Sequence, residues 1–324
     1  IHIFQLDWIT DSYFFAKKAK KLGKPVVLSP IHHNVNEVKR FDNEFVFDFR
    51  RISKFLFRDQ FCRDTFKNVY RALFSFKKIG PTLFSVIHGL KKMHIQTLEM
   101  SDVVLVQTVL EAEDLMKTYG TTVKWKKVPN GAGAVFLKTH GFSNQLDFED
   151  YILCVGRIEP RKNQLNVIEA VKLFRQKHNL DVKLVFIGRG SSKKHFEYLH
   201  RLGKKLKENS WATHIVEWVD YKYMPSYYHF SKVCVSASWF ETTGLTSLEA
   251  LVCGTNAVAS GDRAREYLGE DATYCDPADI QSIADAIEKE YFAPRPHLGA
   301  DKLKEYTWGN AARKTLEVYE ELLR

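Results

Sequence analysis

The 324 residues hold only five cysteines, Cys62, Cys154, Cys234, Cys253 and Cys275. They are odd in number and far apart, and none forms a Cys-x-x-Cys pair. This argues against a disulfide scaffold and against a cysteine metal site, and for reduced, packed thiols in a cytoplasmic protein. Long apolar runs are also missing. No window approaches about 18 uninterrupted apolar residues, so no spanning helix is expected. There is no Asp-x-Asp motif and no visible secretory leader. What is present is an ordinary globular composition, 45% hydrophobic and 27% charged. The length suits two domains better than one.

Charge is unevenly placed. Residues 1–147 contain 23 Lys+Arg against 14 Asp+Glu, a net of +9, while residues 148–324 contain 25 of each. The whole positive excess therefore lies in the first part of the chain, which points there to an anionic partner. Residues 37–92 concentrate it, with 13 Lys+Arg, 6 Asp+Glu and 11 of the 23 Phe. Phe45, Phe49, Ile52, Leu56 and Phe57 recur with helical period, as do Phe66, Val69, Tyr70, Leu73 and Phe74. Helices with an aromatic and a basic face are expected. One reading packs the aromatics into a core. The sharper one docks this face on an anionic membrane surface, peripherally at the inner face of the plasma membrane. No nucleic-acid-binding module accompanies the charge, so nucleic acid is not expected as a partner.

Short β-branched runs alternate with longer amphipathic stretches. The strand candidates are Ile1–Leu6, Val26–Ser29, Val103–Gln107 and Lys126–Pro129, then Tyr151–Gly156, Val182–Gly188, His214–Val219, Val233–Ser236 and Asn256–Ala259. Helical patterns such as Asn163–His178, His195–Glu208 and Ile280–Tyr291 lie between them. Such alternation predicts an α/β fold of two doubly wound, Rossmann-like domains with parallel sheets. The polar stretch Thr139–Asp150 marks the boundary, giving domains at 1–147 and 148–305. Residues 306–324 form a capped C-terminal helix.

Two segments carry chemistry. After the strand Tyr151–Val155 comes Gly156-Arg157-Ile158-Glu159-Pro160-Arg161-Lys162-Asn163. Gly156 lets the chain turn, Arg157 and Lys162 bring two cations to a helix start, and Asn163 suits a helix cap. After the strand Val233–Ser236 comes Trp239-Phe240-Glu241-Thr242-Thr243-Gly244-Leu245-Thr246-Ser247-Leu248-Glu249. Thr242–Thr246 would present unpaired N–H groups at a helix N-terminus, a ready anion site. Either segment alone reads as a solvated loop or as a cap with a surface charge. Together they suit a diphosphate, with a carboxylate left for sugar or ribose hydroxyls.

At these residues the chain resembles the GT-B-fold retaining glycosyltransferases of family 4, the glycosyl transferases group 1. Their second domain carries Gly-Arg-x4-Lys and Glu-x7-Glu, matched here by Gly156, Arg157 and Lys162 and by Glu241 and Glu249. Val128-Pro129-Asn130-Gly131, Phe186-Ile187-Gly188-Arg189-Gly190 and Tyr306-Thr307-Trp308 add to the match, which is weaker over residues 1–99. The resemblance implies a GT-B fold, with two domains facing a cleft and the last helix packing back towards the first domain. It implies that Arg157 and Lys162 hold the donor's diphosphate, that Glu241 faces the donor sugar and that Glu249 binds the ribose. Backbone groups of Gly244, Leu245 and Thr246 would contact phosphate or sugar. Gly156 and Thr243 complete the donor set, and Trp218 and Val219 would lie near the nucleobase. His32, with His33 second, matches a histidine that the family often places close to the reacting sugar. His88 and His94 read as packed or solvated.

The implied activity is a retaining hexosyl transfer from a UDP- or GDP-linked sugar to a glycan or lipid-linked acceptor, as in polysaccharide biosynthesis. No resident cofactor or metal is expected, since cations and a helix start would meet the charge of the leaving group. The sequence departs from the family at Thr242-Thr243, where Gly-Phe is frequent. It departs again at Ile1, which aligns with a later strand, so that the first domain is expected to lack its first strands and the activity of this chain is in doubt. Two other readings stand beside this one. One is a non-catalytic nucleotide-sugar-binding or scaffold protein. The other is a glycoside hydrolase using Glu241 and Glu249 as acid and base.

Overall fold

The computed structural model describes residues 1–44, 55–74, 76–138, 140–190 and 195–324. Phe45, Phe49 and Ile52 of the expected aromatic face lie outside these residues. By contact the chain divides into two units, Ile1–Pro129 with Ala312–Arg324, and Asn130–Ala311.

The first unit holds a parallel sheet in the order β1-β2-β3-β4, made by His2–Phe4, Val27–Ser29, Val103–Val106 and Trp125–Lys127. Its helices are α1 (Ile9–Lys21), α2 (Val35–Glu44), α3 (Gln60–Leu73), α4 (Phe76–His88), α5 (Leu90–Glu99) and α6 (Val109–Tyr119). β3 shows why a continuous apolar run makes a strand covered on both faces. Val104 and Val106 join a core with Ile9, Tyr13, Ala16 and Met93, while the alternate residues Val103 and Leu105 meet Val318. Val318 comes from the C-terminal helix Trp308–Leu323, whose residues from Ala312 onward group with this unit. Tyr319 adds a 2.5 Å hydrogen bond to the ring of His2.

The second unit holds a parallel sheet in the order β7-β6-β5-β8-β9-β10. The strands are β5 (Tyr151–Val155), β6 (Leu184–Ile187), β7 (Thr213–Val216), β8 (Ser231–Val235), β9 (Asn256–Ser260) and β10 (Thr273–Cys275). The helices that matter below are α7 (Gln164–His178), α8 (Phe196–Glu208), α9 (Met224–Phe230), α10 (Leu245–Val252), α11 (Asp262–Leu268) and α12 (Ile280–Phe292). From β5 the chain winds outward through β6 to β7. It then returns to β8 at the other side of β5 and winds outward the opposite way. The crevice beyond the C-terminal ends of β5 and β8 is where such sheets bind ligands.

The contacts put the boundary at Pro129/Asn130, earlier than the polar stretch suggests. Apolar residues just before and within that stretch explain the difference. Phe136 is fully buried in the core of the second unit, and Leu146 and Phe148 pack against the same core. The cysteines are all free; Cys62 is exposed and the other four are buried. Burial pushes the Cys154 and Cys275 thiols up to about 12. Among the described residues no helix is long and apolar enough to cross a membrane.

Candidate active site

β5 is followed by Gly156, whose φ of 142° a side-chain-bearing residue rarely adopts. Its N–H donates to the Ile187 carbonyl at 2.9 Å, and Gly188 donates in turn to the Val216 carbonyl at 2.9 Å. The chain then forms a short 3-10 turn, Pro160–Lys162. Two bonds tie this turn to the segment after β8. The Trp239 N–H donates to the Arg161 carbonyl at 2.9 Å. Asn163 donates through Nδ2 to the carbonyls of Ala237, at 3.0 Å, and Pro277, at 2.7 Å. Asn163 does stand at the start of α7, but at φ 61° and without a side-chain cap bond. It is a staple between three loops and not the cap that its sequence position suggests.

The cations separate. Lys162 donates through Nζ to Glu241 Oε1. Arg161 joins them, with Nη1 3.4 Å from Glu241 Oε2 and 3.3 Å from the Phe240 carbonyl, and its guanidinium over the Phe240 ring at 5.4 Å. Glu159 steadies Arg161 at 3.2 Å. Arg157, by contrast, has a side chain 71% exposed, and among the described residues its ion pair is with Glu159, at 3.3 Å. The ring of charge around Glu241 is therefore made by Lys162 and Arg161, and not by Arg157 and Lys162. Arg161 sits in the same cationic run, but one dimension does not say which cation turns inward.

The two carboxylates have opposite surroundings. Burial alone would raise the Glu241 carboxyl, but the charges of Lys162 and Arg161 and the lysine hydrogen bond outweigh it and hold the group at about 2. Glu249 lies on α10, on the side of the Tyr228 hydroxyl, which donates to its Oε2 at 2.9 Å. Burial pushes Glu249 up to about 7, and the tyrosine hydrogen bond restrains that rise. Gly244, at φ 105°, begins α10, and Thr243 before it is buried. Leu245 and Thr246 open the helix, where backbone N–H groups have no carbonyl a turn earlier to reach. Trp218 is 78% exposed, while Val219 packs against the core, so these neighbours do not share one surface.

His32 belongs to the first unit. It follows β2 and Ile31 (φ 51°), is buried, and donates its backbone N–H to Glu111 Oε1 at 2.9 Å. The other oxygen of Glu111 accepts from the Gln107 N–H at 2.8 Å, so one carboxylate joins the loops after β2 and β3. His33 follows, half-buried. His94 is buried, bonds the Leu90 carbonyl and is held by burial at about 4, hence neutral. His88 stacks on Phe84 and bonds Gln96. Both are packed residues, as expected.

Chemically, the crevice end of the second unit offers a carboxylate fixed by two cations, an open helix start and a second carboxylate that can change charge near neutrality. Comparison with known proteins decides what such a set resembles. Residues 149–291 match the family model of the glycosyl transferases group 1. The O-antigen chain mannosyltransferase B of Escherichia coli is 27% identical over 185 residues, 54% of this chain and 47% of that protein. The D-inositol 3-phosphate glycosyltransferase of Pseudarthrobacter chlorophenolicus is 29% identical over 178 residues, 52% and 42% of the two chains. The matched stretch thus spans less than half of either relative. Among solved structures, sucrose-phosphate synthase from Thermosynechococcus elongatus aligns over 100% of this chain and 73% of its own, with a TM-score of 0.68 and 19% identity. HepE of Anabaena, solved in complex with UDP, aligns over 96% and 76%, with a TM-score of 0.64 and 12% identity. The fold is GT-B, with two Rossmann-like α/β units, as the sequence leads one to expect.

Proposed function

We propose that the chain transfers a sugar from a nucleotide-sugar to a glycan or lipid-linked acceptor, with retention of anomeric configuration. The observation that carries this reading is the Lys162–Glu241–Arg161 cluster at the switch point between β5 and β8, beside the start of α10. A departing nucleotide diphosphate gains negative charge. Lys162 and the N–H groups of Leu245 and Thr246 stabilise it, and Arg157, exposed at the crevice, closes on it from solvent. Glu241 orients the donor sugar through its hydroxyls, and Glu249 accepts from the ribose. The family match over residues 149–291 supports the reaction class. The UDP in a structure of the same fold supports a nucleotide-linked donor, with UDP the first candidate. A hydrolase would need the second carboxylate as base or nucleophile, and Glu241, already paired with Lys162 and Arg161 and held at about 2, is too weak a base for that. Calorimetry with UDP and with GDP tests the reading. We expect one of them to bind, and Glu249→Ala to weaken it at least about tenfold through loss of hydrogen bonds to an anionic acceptor. No heat from either nucleotide would sink the donor assignment and favour a scaffold.

The first unit supports a membrane-side acceptor. Trp8, Phe14 and Phe15 at α1 and Ile79, Leu83 and Ile87 on α4 are exposed. The two helices are joined by Phe14 against Phe84 at 4.9 Å and by Lys78 over Trp8 at 5.8 Å. Lys17, Lys18 and Lys78 stand exposed beside them. Within residues 37–92, Phe61 packs against the core of this unit, 5.8 Å from Tyr119, Phe57 lies 5.8 Å from Phe66, and Leu56, Val69, Leu73 and Phe74 of the expected face are exposed. An apolar surface rimmed by lysines suits an anionic bilayer. Sedimentation with vesicles is expected to show binding that requires anionic lipid and falls with salt. Equal binding to neutral vesicles in high salt would rule this surface out as an electrostatic anchor.

A further inference from the structure

Among the described residues no cation stands beside Glu249. Tyr228 faces it from α9, Tyr221 from the turn Tyr221–Tyr223, Cys234 from β8, Tyr267 from α11 and Cys253 from the residue that follows its own helix. Each of these groups feels the charge of Glu249, and each is pushed up from its ordinary value by burial first and that charge second or later, so all are neutral at neutral pH. Only one of them bonds the carboxylate. Tyr228 is fully buried, and its hydroxyl donates to Oε2 at 2.9 Å. Its main chain is anchored too, because its carbonyl accepts from Ser231 Oγ at 2.7 Å and from Thr255 Oγ1. The ring is wedged edge-on against Phe136 at 5.8 Å. The hydroxyl therefore has a fixed position, and it fixes one oxygen of Glu249. Among the described residues no other hydrogen bond reaches that carboxylate.

We propose that Tyr228 is a positioning residue for the nucleotide: its hydroxyl anchors Oε2 of Glu249 and thereby presents Oε1 to a vicinal diol of the ligand. The inference rests on the donor-site reading above and adds to it a residue that touches no ligand. A carboxylate accepts from two hydroxyls far better than a carboxylic acid does. Near neutrality the charge of Glu249 is finely balanced, with burial pressing towards the acid and Tyr228 restraining it. Binding should thus strengthen as pH rises through the titration of Glu249. Removing the Tyr228 hydroxyl should move that rise to higher pH. A tyrosine that merely fills space would, on replacement, weaken binding equally at every pH.

The test uses the whole chain, Tyr228→Phe and Glu249→Gln. UDP and GDP binding is measured by calorimetry from about pH 5.5 to about pH 9, and the glutamate carboxyl carbons are titrated by NMR with Glu249→Gln as the assignment. For the nucleotide that binds, wild-type affinity should fall by up to about tenfold per pH unit on the acid side. Tyr228→Phe should bind about three- to tenfold more weakly at pH 7, a deficit that closes in alkali. Glu249→Gln should flatten the profile, and the Glu249 carboxyl of Tyr228→Phe should titrate at higher pH than wild type. A uniform loss at all pH values, or an unmoved Glu249 titration while nucleotide still binds, overturns the inference alone. If wild type binds neither nucleotide, the donor reading falls and takes the ligand half of the inference with it, whatever the carboxyl titration shows.

Discussion

Lys162→Ala should lower kcat/KM for sugar transfer by about 10²–10³, the range seen when one preorganised donor to developing charge is lost. The same change should also destabilise the protein, because it strands a buried carboxylate. Glu241 keeps its charge largely through Lys162, and Arg161 at 3.4 Å compensates only in part. A loss of about 2–3 kcal/mol is expected, somewhat below the usual cost of breaking a buried pair. The pH dependence has a definite sign. Glu241 is held at about 2, below its ordinary 4.5, so its pairing contributes stability above about 4.5 that disappears as pH falls through 2. The gap in urea midpoint between wild type and Lys162→Ala should therefore be full at pH 7 and shrink in acid. Lys162→Ala with Glu241→Gln should recover stability without recovering transfer. If the single variant keeps wild-type transfer, Lys162 does not serve the leaving group.

The largest structural effect is expected at Gly188. Its φ is 147°, and a Cβ there would run into the carbonyl of Gly156, itself at φ 142°. Neither atom can yield, because both belong to backbone bonded across the sheet edge, through Gly156 to Ile187 and Gly188 to Val216. Gly188→Ala should cost about 3 kcal/mol or more, combining a strained backbone with overpacking. Gly203→Ala on α8 is the matched control. Nothing lies within 4 Å of its added methyl, and it should stabilise by about 0.5–1 kcal/mol. Thermal melts of the two variants should move in opposite directions. An unchanged melt for Gly188→Ala would mean that the Gly156 turn can move aside.

These residues also show what a sequence can disclose. β5 and β8 are legible because Tyr151–Val155 and Val233–Val235 are unbroken apolar runs that end at turn-forming residues, and that alone places the site segments at one sheet edge. β10 is not, since Thr273-Tyr274-Cys275 is short and carries no apolar run. The Glu241 and Glu249 spacing is a local pattern, and both residues lie between β8 and the end of α10, where the sequence puts them. The inward turn of Arg161 does not, because Arg157, Arg161 and Lys162 are equivalent in a string and become distinct only when Glu159 and Phe240 sort them. Tyr228 lies 21 residues before Glu249 on another helix, and their pairing exists only in the fold. The boundary near residue 147 misleads for the opposite reason: a locally polar stretch hides Leu146 and Phe148, whose partners are far along the chain.

Asn163 carries one more consequence. A single amide group holds the segments that leave β5, β8 and β10, through Arg161's neighbourhood, Ala237 and Pro277. Bonds of this kind form when the protein folds, so the charged groups they carry need little rearrangement when a reaction generates charge beside them. In water, solvent dipoles must turn to meet a new anion, and that turning is a large part of the barrier. In the sugar transfer proposed above, that reorganisation would be completed once, during folding, and each transfer would start from it.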